Sequence, residues 1–374
     1  YEYALIDNWW DTNIGRDRMK SLIEYARSKG VELFLWYSSS GYWNDIEQGP
    51  VNHMDNAIIR KREMKWLQSL GVKGIKVDFF GGDKQETMRL YEDILSDADD
   101  HGLMVIFHGC TIPRGWERMY PNYVGSEAVL ASENMVFGQH FCDEEAFNAC
   151  LHPFIRNSVG CMEFGGCFLN KRLNRTNDGG NIRRTTDAFQ LATTVLFQNP
   201  IQNFALAPNN LTDASQICLE FLKQVPVTWD ETVFIDGYPG KYCILARRHG
   251  DKWYVAGVNA QKEPLKLKIQ LPMFAKGNRV TLYNDDRLSD STYVVALELY
   301  PSEDFPEVRL NRRLFTVSFT NKLIQPENWG YLGLGTYSTA AYTFVLQQIA
   351  PLTYMPFWTG GANGTMNPDK EKYY

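Results

Sequence analysis

Gly74-Ile75-Lys76-Val77-Asp78-Phe79-Phe80 is a short apolar run that ends in a carboxylate. It reads as a buried strand. A parallel-sheet strand covered by helices can be apolar on both faces, so a charge at its carboxyl end needs a reason. Lys76 and Asp78 stand two apart and leave the strand on the same side. In a (β/α) barrel, catalytic groups sit at the carboxyl ends of the strands, where the βα-loops build the site. A structural Lys–Asp ion pair would use the same two residues, so this stretch alone leaves both readings open.

The segments around it repeat the pattern. Tyr3–Asp7 reads as a strand, followed by a helix with Met19, Leu22, Ile23 and Ala26 at helical spacing and a stop at Lys29-Gly30. Val31–Tyr37 is the next strand, and a helix from about Asp55 to Leu70 ends at Gly71. After Gly74–Phe80 comes a helix with Met88, Tyr91, Leu95 and Ala98 on one face, then a strand over Leu103–His108. Ala128–Glu133, Val159–Gly165 and Pro200–Leu206 are the expected remaining strands, with a helix over Thr186–Phe197 before the last. Alternating strands and helices mean βαβ units and a parallel sheet. The count is seven strands where a closed barrel needs eight. The expectation is a (β/α)8 TIM barrel whose first strand, with the region before it, is missing from this chain; a seven-strand open α/β sheet is the competing reading.

After Pro226 the pattern changes. Thr232–Asp236, Tyr242–His249, Lys252–Asn259, Leu265–Gln270 and Arg279–Tyr283 are short strands separated by turn signals such as Tyr238-Pro239-Gly240. They suit a small antiparallel β-sandwich. The expected organisation is a catalytic barrel over 1–225, a sandwich over 226–320, and an unassigned segment over 321–374.

Composition excludes several partners. The 374 residues carry a net charge of −6, which argues against nucleic acid or an anionic membrane as the main partner. No run of about 20 apolar residues is present to insert into a membrane. The seven cysteines lack zinc spacing and read as small buried hydrophobes. Aromatic residues make up 14%, and Trp and Tyr cluster in the first half; such faces stack sugar rings, though most aromatics serve a core.

Acidic groups recur at the expected strand ends: Asp7, Asp78 and Glu133, with Glu127 just before the sixth strand. Two carboxylates facing each other are what glycosidic cleavage needs, one to protonate the leaving oxygen and one to attack or to activate water. The blocks GIKVDFF, FHGCTIPRGWERMYPN, SEAVLASE, GCMEFGG and TTDAFQLATTVLFQNPIQNFA, in this order, resemble glycoside hydrolase family 97 over roughly residues 1–285. The resemblance implies a (β/α)8 barrel flanked by β domains and cleavage of α-glycosides.

Carried onto this sequence, it implies that Asp78 is the nucleophile of a retaining enzyme, Glu133 the general acid/base and Glu127 a calcium ligand. Inverting members carry a glutamate directly after the histidine of the FH block. This chain has Gly109 after His108, which favours retention, with the two carboxyl groups about 5–5.5 Å apart. Lys76 is expected to bond a sugar hydroxyl and keep Asp78 ionised. Asp7, Trp9, Trp10, His108 and Glu163 are the other expected substrate contacts; Trp36, Trp43 and Trp116 are weaker aromatic candidates. Calcium is an even expectation, since Glu127 alone falls short of the six to eight oxygens the ion takes.

The expected activity is an exo-acting retaining α-glycosidase on an oligosaccharide or glycoside, α-galactosidase ahead of α-glucosidase, in the periplasm or secreted. A catalytically silent sugar-binding relic is the alternative. A metal-dependent hydrolase or aldolase lacks its His-x-His or Schiff-base context. The sequence leaves the oligomeric state open.

Overall fold

The computed structural model describes residues 1–262 except 42, 43 and 45, together with 265, 267, 269–273, 279–285 and 292–298. Trp43, part of the expected strand Leu265–Gln270 and the 321–374 segment fall outside the described residues. Two compact units are formed. The first comprises Tyr1–Val129 with Val159–Met162, and the second Leu130–Ser158 with the described residues from Glu163 onward.

In the first unit the order is β1 (Tyr3–Ile6), α1 (Trp10–Asn13), α2 (Arg16–Ser28), β2 (Glu32–Ser38), α3 (Ala57–Leu70), β3 (Gly74–Asp78), α4 (Gln85–Asp99), β4 (Met104–Phe107) and β5 (Tyr123–Ser126). The five strands are parallel and pair in the order β1-β2-β3-β4-β5. A doubly wound open sheet reverses its strand order at a switch point, whereas this sheet winds in one direction throughout. It is the winding of a TIM-type α/β domain.

Residue alternation sets the two faces. Leu33, Leu35, Tyr37, Ile75, Val77, Val105 and Phe107 join Met19, Ile23, Met64, Leu67, Tyr91, Ile94 and Leu95 of the helices in one buried core. Each fully buried aliphatic side chain of this kind contributes about 1.5–3 kcal/mol. On the opposite face Phe34 lies in register with Gly74, where a Cβ would come within 2.1 Å of the Phe34 ring, so only glycine fits. Helix ends follow their sequence signals: Asn56 accepts from the N–H groups of Ile58 and Ile59, and Gly71 closes α3 at φ +76°.

Two expected strands do not form. Val159–Gly165 contributes a single parallel bridge, Met162 to Ser126, and Pro200–Leu206 is coil whose Ala205 N–H reaches Gly166 O at 2.9 Å. Gly165 and Cys167 take left-handed backbone, at φ +64° and +70°, which breaks the extended run. The expected strand Ala128–Glu133 is displaced: the strand is β5, so Glu127 follows its end and Glu133 stands further on.

The second unit contains α5 (Asn134–Phe137), α6 (Gln139–Ile155), α7 (Asp187–Leu196), α8 (Asn210–Asp213) and α9 (Gln216–Gln224). They precede an antiparallel sheet of β6 (Glu231–Tyr238), β7 (Tyr242–His249) and β8 (Lys252–Asn259), and a ribbon of β9 (Arg279–Asp285) and β10 (Thr292–Glu298). Helix α7, expected with the barrel, packs on β7 and β8, and so does α6, which was not expected. The cysteines are free and six of the seven are buried. Among the described residues no helix is long and apolar enough to cross a membrane.

Candidate active site

The carboxyl end of β3 is built by its neighbours. Register pairs Lys76 with Trp36 and Asp78 with Ser38, which places Trp36, Lys76 and Asp78 on one face. Trp36 Nε1 donates to Asp78 Oδ2 at 3.1 Å, and the Phe79 N–H donates to Asp78 Oδ1 at 2.7 Å. Lys76 Nζ lies 3.8 Å from Asp78 Oδ2, and the Asp78 side chain retains 13% exposure. Both oxygens are therefore oriented while an edge of the carboxylate stays open. Phe79 takes φ +62°, a left-handed conformation that costs a bulky residue about 1–3 kcal/mol. The surrounding structure holds it there: Phe80 N–H donates to Gly109 O at 2.9 Å, and Phe80 stacks on Tyr91 at 3.9 Å.

Gly109 makes this turn possible. Its φ is +45°, and a Cβ on it would lie 2.8 Å from both Asp78 Oδ1 and the Phe79 nitrogen. A side chain at 109 would displace either the carboxylate or the backbone that orients it. The sequence shows the glycine; the reason for it is visible only here.

Lys76 is buried and bonds Asp7 Oδ2 at 3.0 Å, closer than it approaches Asp78. Asp7 follows β1 and is half exposed; its Oδ1 accepts from the Asn8 N–H at 2.8 Å. Burial alone would raise its pKa, but the Lys76 ammonium, the Asn8 N–H and, more weakly, His108 outweigh it and hold Asp7 below its usual range. Asp7, Lys76 and Asp78 thus form one charged group across the strand ends.

The two tryptophans of the first turn part company. Trp10 is a core residue: it is 1% exposed, its Nε1 donates to Trp36 O at 2.7 Å, and its ring stacks on Trp66 at 6.2 Å. This corrects the expectation that it could serve as a sugar platform, because its ring lies in the packing between sheet and helices. Trp9 remains half-buried, in a left-handed turn whose N–H bonds Gly49 O at 2.7 Å. Trp116 is likewise core, packed on Tyr91 and Phe107.

His108 and Glu127 are both buried and meet at 3.5 Å, Nδ1 to Oε2, and the Gly109 N–H donates to the same oxygen at 3.2 Å. Calcium takes six to eight oxygens, and neither an imidazole nitrogen nor an N–H supplies one. This contact fits a buried His–Glu pair and does not by itself fit a calcium ligand set.

Glu133 and Glu163 belong to the second unit. Glu133 is half-buried and begins α5 with helical backbone, and its side chain makes no capping bond to that helix. Glu163 is buried, with Gly165 at φ +64° close by. Trp36 as a donor to Asp78 was missed; its register opposite Lys76 is the signal that could have found it.

A family model described as "Glycoside hydrolase 97" matches residues 7–129, and one described as "Glycosyl-hydrolase 97 C-terminal, oligomerisation" matches residues 228–311. A solved structure described as a beta-arabinopyranosidase is 81% identical, with a TM-score of 0.78, over 80% of this chain and 47% of that one. A Streptomyces bingchenggensis protein named "Probable retaining alpha-galactosidase" is 33% identical over 69% of this chain and 36% of its own length. A "Retaining alpha-galactosidase" of Bacteroides thetaiotaomicron is 30% identical over 69% of this chain and 38% of its own. The chain thus spans less than two fifths of the curated relatives it matches and about half of the solved structure.

Proposed function

Because the chain belongs to glycoside hydrolase family 97, we propose that it is a retaining glycosidase in which Asp78 is the nucleophile and Glu133 the acid/base. The observation that carries the reading is the β3 terminus. There a carboxylate is oriented by Trp36 Nε1 and Phe79 N–H, and the glycine at 109 leaves its approach clear. Asp78 attacks the anomeric carbon as Glu133 gives its proton to the departing glycosidic oxygen, forming a covalent glycosyl–enzyme. Glu133 then takes a proton from water, which attacks the same carbon from the opposite side to Asp78 and releases the sugar with its configuration retained. Lys76 and Asp7 bind ring hydroxyls, with Trp9, His108 and Glu163 as further contacts. No step runs through calcium.

The proposed substrate is a β-L-arabinopyranoside, supported by the 81% identity to the beta-arabinopyranosidase. An α-D-galactopyranoside has the same ring configuration with a hydroxymethyl group added at C5, so the galactosidase names of the relatives support it as a second substrate. A reaction at Asp78 serves both sugars alike.

The test compares p-nitrophenyl β-L-arabinopyranoside and α-D-galactopyranoside with wild type and Asp78→Ala. Wild type should turn over the first faster. Asp78→Ala should lose on the order of 10⁴-fold or more in kcat, and azide should restore turnover as a glycosyl azide of inverted configuration. A fully active Asp78→Ala would remove the nucleophile assignment. A wild type that binds both sugars without turnover would point to the silent sugar-binding alternative.

A further inference from the structure

We infer that Ser132 is a positioning residue for the acid/base, pinning the chain just before Glu133 to the segment Phe164–Gly165; this rests on the assignment of Glu133 above. Ser132 is 1% exposed. Its N–H donates to Phe164 O at 3.0 Å, and its hydroxyl to Phe164 O at 2.9 Å and to Gly165 O. A hydroxyl has one proton, so the two carbonyls share it. Gly165 has φ +64°, a left-handed conformation that a glycine takes without strain.

Two further ties fix the same stretch. His152 Nε2 meets Leu130 O at 3.1 Å, and burial pulls this imidazole down to about 3, so the ring is neutral and donates from Nε2. Beyond Glu133, Met135 O accepts from Asn181 Nδ2 at 2.7 Å. Residues 130, 132 and 135 are each anchored, while the Glu133 side chain between them makes no capping bond. An acid/base needs this combination. Its backbone must not drift, because a misplacement of about 1 Å can cost 10²-fold. Its carboxyl must still reach the leaving oxygen in one step and water in the next.

A purely structural role for Ser132 would make the same contacts, so the test reads proton donation itself. A 2,4-dinitrophenolate departs without a proton, whereas an alkoxide does not. Both glycosides carry the same sugar, and kcat/KM reports the glycosylation step. For Ser132→Ala, kcat/KM on the methyl glycoside should fall about 10–100-fold, with that on the dinitrophenyl glycoside within about twofold of wild type. The ratio of the two does not depend on the folded fraction, so a partly unfolded variant still answers. Ser132→Thr, which returns the hydroxyl, should restore the ratio.

An equal fall on both substrates would overturn the positioning role. Glu133→Gln on the same pair separates the two layers. If it shows the leaving-group dependence and Ser132→Ala does not, only the role of Ser132 fails. If Glu133→Gln shows none, the acid/base assignment fails with it.

Discussion

Asp78 is fixed through its own carboxylate, which takes hydrogen bonds from Trp36 Nε1 and the Phe79 N–H. Glu133 is fixed instead through Leu130, Ser132 and Met135 on either side of it. The difference matches the two roles proposed for them. A nucleophile attacks along one line and gains from a locked carboxylate, whereas an acid/base serves two steps and gains from a locked backbone with a carboxyl left to turn. Precision can therefore be built into a side chain or into the chain that carries it.

The comparison is most sharply tested at Gly109. Gly109→Ala forces a Cβ to 2.8 Å from Asp78 Oδ1 at a φ of +45°. We expect kcat/KM to fall on the order of 10²-fold or more, with about 1–3 kcal/mol lost from stability. Steady-state kinetics beside urea unfolding check both. An alanine variant with wild-type kinetics would show that Asp78 is not locked at all.

Trp36→Phe keeps most of the ring packing and removes only the Nε1–H. The lost bond to a charged acceptor is worth about 1.5 kcal/mol, or roughly tenfold in kcat/KM. Because the bond orients the proposed nucleophile, alkyl and dinitrophenyl glycosides should suffer alike, in contrast to Ser132→Ala. A leaving-group-dependent loss here would erase the distinction between the two sites.

The smallest effect on turnover is expected in α6, which packs on α5, where the change is one of stability. Glu144 is pushed up to about 8, by burial first and by Asp143 second. The folded chain then holds a proton between pH 4.5 and 8 that the unfolded chain has released, so this group's stabilising contribution is complete below pH 4.5 and is lost as pH rises through 8. Tm measured from pH 5 to 8 should fall in the wild type and fall less in Glu144→Gln. Parallel curves would remove Glu144 from the account.

Much of the first unit was legible because its elements obey simple periods. The apolar residues of α2 and α4 recur at helical spacing, and Gly74–Asp78 is bounded by turn signals. The strands Tyr242–His249 and Lys252–Asn259 form with the expected bounds. Helix α6 was missed because its buried positions include Glu144, Glu145, Asn148 and His152, which erase the apolar stripe. Asp78 and Lys76 were legible as charges at the end of a buried strand. Trp10 was misjudged because a tryptophan beside a strand end looks the same in sequence whether its ring faces the open or the core. The clamp at Ser132 joins residues 32 and 33 positions apart, and no local pattern announces such a contact.

The turn at Gly109 bears on how this family could diversify. Members that invert carry a glutamate directly after the histidine of the FH block, where this chain has a glycine. Here that position holds φ +45° against the carboxylate of Asp78. A side chain could enter this position only with the β4 loop rerouted, since its Cβ would otherwise lie 2.8 Å from both the Asp78 carboxylate and the Phe79 nitrogen.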